Sequence, residues 1–257
     1  MVANLSPGSN GSNPRSLCVA TGRFYFIANS RVWTSDGTGA NTFQLVGGPV
    51  EPIAVTGLTP YGSGAVFSAR APLAGQQNNL EPWYTDGTSA GTIQLGDLVP
   101  GNSGSDPFQF TVYNGIVYFS AYTPATGFEL WSTDGTPGGT TFMGDVIPGN
   151  AALNPLNLTV WNDELYFARG TGQSLWSTDG TLAGTQQRWG NGQSNDPISF
   201  LTPADAKLFM VAAPYGVEPH TYDGVGPDAV LLRDIAPGFS AGSNAGPFVY
   251  LNGKVYF

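Results

Sequence analysis

Basic residues are scarce in this 257-residue chain: 9 lysines and arginines stand against 18 aspartates and glutamates, a net charge of −9. The two lysines, Lys207 and Lys254, lie far apart, and the arginines (Arg15, Arg23, Arg31, Arg70, Arg169, Arg188, Arg233) are scattered. Phosphate recognition needs clustered cations, so nucleic acid and anionic membrane surfaces are poor partners. Cys18 is the only cysteine, which rules out an intrachain disulfide and a cysteine-rich metal site. No run of about 18 apolar residues occurs, so no helix spans a bilayer. Residues 1–8 carry neither a basic nor an apolar leader region and read as a mature start that enters partway through a repeat. Charge is low overall, at 11%, but 12% aromatics and 41% hydrophobics argue against disorder. With 36 glycines and 20 prolines, this composition suits many short strands joined by turns.

What the chain does have is a repeat. The stretch Glu129-Leu-Trp-Ser-Thr-Asp-Gly-Thr-Pro-Gly-Gly-Thr140 recurs around Trp33, Trp83 and Trp176, and in a worn copy at Glu218-Pro-His-Thr-Tyr-Asp-Gly224. Its turn residues are Asp36-Gly37, Asp86-Gly87, Asp134-Gly135, Asp179-Gly180 and Asp223-Gly224, so the aspartates are 50, 48, 45 and 44 residues apart. A period of that size built from strand-like segments predicts an all-β propeller of four-stranded antiparallel blades, one domain over 1–257.

These copies resemble the bacterial ELWxxDGT repeat family, most closely where Glu129-Leu-Trp131 and Asp134-Gly-Thr136 stand together. The resemblance covers almost the whole chain. It implies propeller blades in a secreted or surface-associated protein, and it brings no catalytic residues.

Each unit reads as four segments. In the third they are Phe108–Tyr113, Ile116–Ala121, Leu130–Thr133 and Thr141–Val146. The second segment is apolar on both faces, as in a sheet covered on both sides. Asn114-Gly115, Asn162-Asp163 and Asn252-Gly253 predict two-residue hairpins between the first and second segments. A proline recurs just ahead of the first segment, as Pro14, Pro52, Pro107, Pro155, Pro197 and Pro247. In the turn Asp-Gly-Thr-x-x-Gly-Thr, the second glycine is Gly91, Gly139 and Gly184 but becomes Asn41 and Asp228 elsewhere. Gly, Asn and Asp tolerate the left-handed region best, which predicts a positive φ at this position. Counting segments gives six first, six second, five third and six fourth strands, the earliest fourth being Val2–Leu5. Six blades with an incomplete closing blade are therefore favoured over five, and the open edge of that blade, Val255–Phe257, is a place for strand donation.

The repeated chemistry has structural readings. The turn aspartates and threonines can satisfy nearby amides, and one carboxylate per turn is too few for a calcium cage, so no metal or other cofactor is expected. Trp33, Trp83, Trp131 and Trp176, with His220 in the fifth copy, read as blade-to-blade packing; Trp161 and Trp189 fall outside the repeat. Glu81, Glu129 and Glu218 are equivalent positions, replaced by Arg31 and Ser174, and not a pair of unlike carboxyls. Blade-edge solvation or a bond to an adjacent loop is the expectation for them. The second-to-third-segment loops, including the long Arg70–Glu81, vary most and are the expected binding region. Together these readings predict a non-catalytic extracellular recognition or scaffold module for carbohydrate or protein. A hydrolase at a propeller channel mouth is the alternative.

Overall fold

The computed structural model describes residues 3–6, 11–47, 51–71, 79–148, 152–170, 172–190, 198–213, 217–226, 228–237, 242–243 and 245–257. These form an all-β structure with no α-helix among them. The first sheet is β1 (Arg15–Ala20), β2 (Arg23–Ala28), β3 (Arg31–Ser35) and β4 (Phe43–Gln44). The second is β5 (Ile53–Tyr61), β6 (Gly64–Arg70), β7 (Leu80–Thr85) and β8 (Ile93–Gln94). The third is β9 (Phe108–Tyr113), β10 (Ile116–Thr123), β11 (Gly127–Thr133) and β12 (Thr141–Phe142). The fourth is β13 (Pro155–Trp161), β14 (Glu164–Arg169), β15 (Leu175–Thr178) and β16 (Gln186–Trp189). The fifth is β17 (Ser199–Ala204), β18 (Lys207–Ala212), β19 (Glu218–Tyr222) and β20 (Val230–Leu231). A two-stranded hairpin, β21 (Val249–Leu251) and β22 (Lys254–Tyr256), follows. Strands pair in chain order and antiparallel within each sheet.

The hairpin turns are local chemistry. Asn114 and Gly115 have φ of 49° and 76°, Asn162 and Asp163 of 50° and 57°, and Asn252 and Gly253 of 51° and 74°. Two positive angles in a two-residue loop give the twist that matches the flanking strands. The fourth strands are shorter than the sequence suggests: the Thr141–Val146 segment contributes only Thr141–Phe142. No strand forms at Ala3–Leu5, so the described residues contain five fourth strands and not six; Val2 lies outside them, as do Pro197 and residues 72–78 of the Arg70–Glu81 loop.

One repeated feature has no sequence signal. The first strand of each four-stranded sheet carries a β-bulge with a non-glycine residue at positive φ: Ser16 (52°), Ala54 (53°), Gln109 (59°), Asn157 (57°) and Phe200 (56°). These five share no side-chain type, so the shape of the whole sheet imposes the bulge.

The chain divides into two compact units, Met1–Ala125 with Trp131–Phe142, and Thr126–Leu130 with Met143–Phe257. In the first unit, Tyr25 and Ile27 of β2 pack with Val55, Ala65, Phe67 and Trp83 of the second sheet, and Val66 packs with Phe110, Val117 and Phe119 of the third. In the second unit, Tyr166 and Ala168 meet Ile198, Leu201, Leu208 and Met210, and Val211 meets Phe248. Phe67, Phe119 and Phe167 are fully buried, each worth about 2–3 kcal/mol of transfer free energy. The repeat tryptophan stacks on the cross-strand phenylalanine: Trp33 on Phe26 at 6.4 Å and Trp83 on Phe67 at 6.5 Å.

The turn between third and fourth strands closes on itself. Asp134 Oδ1 accepts the Thr136 N–H (2.9 Å) and hydroxyl (2.6 Å), Thr136 Oγ1 accepts the Gly139 N–H (3.1 Å), and Thr133 Oγ1 accepts the Gly135 N–H (3.1 Å). The Asp36, Asp86 and Asp179 turns repeat the aspartate–threonine pair, and Asp223 accepts from Val225 and Gly226. The expected positive φ is at the other glycine. Gly37, Gly87, Gly135, Gly180 and Gly224 have φ from 79° to 96°, whereas Gly91, Gly139 and Gly184 are not in the left-handed region. The second glycine is small for a steric reason: a Cβ at Gly91, Gly139 or Gly184 would collide with the turn carboxylate of Asp86, Asp134 or Asp179. Asn41 suits the same place because its Nδ2 donates to Asp36 Oδ2 at 2.6 Å.

The first glycine is doubly constrained in three copies. A Cβ would lie 2.6 Å from the Tyr25 hydroxyl at Gly87, 3.0 Å from the Tyr61 ring at Gly135 and 3.2 Å from the Trp161 ring at Gly224. Gly135→Ala is therefore expected to cost ~2 kcal/mol. Gly138→Ala, with no positive φ and nothing within 4 Å of its Cβ, should stay within about 0.5 kcal/mol of wild type. Gly139→Asn should be milder than Gly135→Ala. Urea melts of the three variants test the assignment, which fails if Gly138→Ala is the most damaging.

Candidate functional site

Glu81, Glu129 and Glu218 begin as equivalent positions in third strands, and the structure buries all three to 1%, 0% and 0% exposure. Solvation at a sheet edge is thus the wrong expectation for them; a bond to the neighbouring linker is what forms. Glu81 Oε1 accepts the N–H groups of Val99 (3.3 Å) and Ser105 (3.2 Å), and Oε2 accepts the Leu98 N–H (3.1 Å) and Ser105 hydroxyl (2.6 Å). Glu129 Oε1 accepts the Leu153 N–H at 2.8 Å, and Glu218 accepts Ile235 (3.2 Å) and Ala236 (3.3 Å). Each glutamate so clasps the segment that leads out of its own sheet. In the first sheet Arg31 replaces the glutamate, and the carboxylate comes from the linker instead: Arg31 Nε to Glu51 is 2.6 Å, with Gln44 on the same oxygen. In the fourth, Ser174 accepts from Trp176 Nε1 at 3.0 Å.

Burial pushes the Glu81 and Glu129 carboxyls up to about 7, against the pull of their hydrogen-bond donors. Values near neutrality are what acid–base catalysis uses, but the atoms these carboxyls touch are linker amides. His220 is equally enclosed at 2% exposure, with Nδ1 on the Glu218 carbonyl (2.9 Å), its ring beside Trp189 (5.9 Å), and its pKa lowered by burial. The G-x-S-x-G spacing of a hydrolase nucleophile occurs at Gly87–Gly91, where Ser89 lies in a turn between two strands and not at the start of a helix. It occurs again at Gly238–Gly242, of which 238–241 lie outside the described residues. No group of three or more metal-ligating side chains occurs among the described residues.

The cavity of interest lies in the first unit and holds about 720 Å³. It opens at the end of the sheets where the Asp-Gly-Thr turns and hairpin turns sit, opposite the second-to-third-strand loops that sequence variability points to. Tyr61 closes β5 and Tyr84 comes from β7; their rings meet edge-on at 6.4 Å and 80°. Tyr61 donates to the Gly115 carbonyl at 2.8 Å, and Ser63 Oγ lies 3.4 Å from the Tyr84 hydroxyl. Asp134-Gly135-Thr136 forms another wall, and Val19 and Val112 supply exposed apolar surface. Of the turn aspartates only Asp134 joins this lining. Gly135 matters here because a side chain would push Tyr61 away. Hydrogen bonds from Thr136 hold the Asp134 carboxyl below its usual value, while burial raises Tyr61. The first stays ionised and the second neutral at pH 7, so neither is poised to exchange a proton.

No family model matches the chain, and no curated protein matches it in sequence. Its fold is similar to that of a puromycin hydrolase (TM-score 0.59, 15% identity, 99% of this chain and 43% of that one). It is likewise similar to a Mycobacterium tuberculosis puromycin-hydrolysing peptidase (0.55, 12%, 95% and 43%) and to the computationally designed Ika8 protein (0.54, 16%, 94% and 66%). The chain thus spans less than two thirds of each of these proteins, and identities this low speak to fold alone.

The opposed pKa shifts set a pH profile. Glu81 and Glu129 bind a proton more tightly folded than unfolded, so their contribution is complete below about 4.5 and is lost as pH rises through about 7. Asp36, held down at about 2, contributes above its ordinary 3.8 and loses that contribution as pH falls through about 2. The melting temperature should therefore peak near about pH 4–5 and decline toward about pH 8. Glu81→Gln should flatten the decline, and Glu81→Ala should cost ~3 kcal/mol through the stranded linker donors. A profile that rises from pH 5 to 8 in wild type would contradict the burial argument.

Proposed function

We propose that this chain is a β-propeller of the ELWxxDGT repeat type, five four-stranded blades with a sixth begun by the C-terminal hairpin, acting as a non-catalytic recognition module. The similarity of fold to peptidase β-propeller domains and designed propellers supports the architecture. Secretion or surface attachment rests on the repeat resemblance. The observation that carries the non-catalytic reading is the cavity of the first unit: its one carboxylate, Asp134, is held ionised by its own turn, and the carboxyls that titrate near neutrality are bonded to linkers elsewhere.

Tyrosine rings set at a right angle, exposed turn hydroxyls and backbone carbonyls suit a hydroxylated ring that offers both an apolar face and donors. The ionised Asp134 repels anions and accepts hydroxyl donors. An uncharged glycan is therefore the ligand class, with the Asp-Gly-Thr end of the sheets as the binding end.

A glycan array with neutral and acidic sugars, followed by calorimetry, tests this. Binding to neutral glycans should change little between low and high salt. Tyr84→Ala should weaken it at least about tenfold with little change in secondary structure. Binding confined to acidic sugars, or hydrolysis of the bound glycan, would defeat the proposal.

A further inference from the structure

The side chains around the cavity of the first unit have few protons left to donate. Tyr61 gives its hydroxyl proton to the Gly115 carbonyl at 2.8 Å. Thr136 gives its own to Asp134 Oδ1 at 2.6 Å, and its oxygen accepts the Gly139 N–H at 3.1 Å. The N–H groups of Gly135 and Thr136 are used within the turn, on Thr133 Oγ1 and Asp134 Oδ1. Ser63 and Tyr84 have two hydroxyl protons between them, and their 3.4 Å contact uses one. Among the described lining side chains, one hydroxyl proton is therefore left for a ligand, on Ser63 or Tyr84.

Acceptors are in better supply. In the first turn Asn41 Nδ2 caps the second oxygen of Asp36 at 2.6 Å. The third turn has Gly139 at that place, so Asp134 Oδ2 accepts no hydrogen bond among the described residues. Asp134 lines the cavity, and a donor bonded to an ionised oxygen gains more than one bonded to a neutral group. The remaining wall is aliphatic: Pro60 of β5 and Val112 of β9 line the same cavity, and Val112 is 40% exposed. One charged acceptor, one hydroxyl proton and one apolar wall thus face the same space.

We propose that this cavity selects an acetamido sugar, a glycan ring bearing an N-acetyl group, over the corresponding plain hexose. The acetamido group carries one N–H for Asp134 Oδ2, one carbonyl oxygen for the remaining Ser63–Tyr84 proton and one methyl for Val112 and Pro60. A hydroxyl in its place offers a donor but no apolar surface. The group is uncharged and needs no counter-cation, and no arginine or lysine lines the cavity. This selectivity rests on the reading of the cavity as a glycan site and narrows the ligand within it.

Calorimetry tests it with three disaccharides of the same linkage that differ only in one ring substituent. They are diacetylchitobiose, cellobiose and chitobiose, bearing acetamido, hydroxyl and ammonium groups respectively. Diacetylchitobiose should bind at least about tenfold more tightly than cellobiose. Val112→Thr keeps the β-branched shape and should cut that preference about fourfold, the worth of one methyl contact. Asp134→Asn should cut it too, because the amide oxygen stays with Thr136 and its nitrogen replaces the open acceptor. Thermal melts confirm folding, and Val112→Thr carries the test if Asp134→Asn does not fold. Equal binding of cellobiose and diacetylchitobiose overturns the acetamido assignment and leaves the glycan reading standing. Tighter binding of chitobiose overturns it as well, and so does a preference that survives both variants. Absence of binding to all three overturns it, and the glycan reading falls with it only if the glycan array is also blank.

Discussion

A sheet that is apolar on both faces cannot stand alone in water. Phe119 on one side of β10 is buried because Val66 and the second sheet lie against it, and Tyr166 on β14 because Leu208 and Met210 of the fifth sheet lie against it. This constraint organises the rest of the molecule. It explains why short strands of modest pairing suffice, since the fourth strands of the first three sheets contribute only two residues each. It also explains why the connections between sheets need anchoring, because a linker that wandered would let the next sheet drift off the face it must cover.

The buried glutamates meet that need. A carboxylate has enough acceptor capacity to gather several linker N–H groups at one point, and Glu81 gathers four donors from three linker residues. The cost is desolvation of a charge, visible in the raised pKa. The Arg31–Glu51 pair shows that the geometry matters more than which side supplies the carboxylate. Where strand and linker exchange roles, the clasp survives.

At the opposite end the Asp-Gly-Thr turn does a second job. Its polar groups are satisfied internally, so its outer surface is free to form a wall, and its first glycine lets an aromatic ring from the adjacent sheet approach the backbone. Gly135 and Tyr61 together shape the cavity on which the recognition proposal depends. A residue conserved in every copy for folding thereby also shapes a place where something else can bind.

What the sequence determined by itself was local. Period, strand order and the Asn-Gly hairpins depend on neighbours a few residues apart, and so does the aspartate turn. The same locality misled at the second glycine. Gly91, Gly139 and Gly184 stand there because a carboxylate from five residues earlier leaves no room, and Asn41 because it bonds that carboxylate, and not because φ is positive. The burial of Glu81 and Glu129 was decided by tertiary structure, since their donors lie 17 to 24 residues away and the Asp-x-x-Pro-Gly that recurs in these linkers does not by itself say which strand it meets. The bulges at Ser16, Ala54, Gln109, Asn157 and Phe200 were decided there too, because they answer to the shape of a sheet and not to a side chain. The cavity joins Tyr61, Tyr84 and Asp134 from two sheets, a proximity that no spacing along the chain encodes.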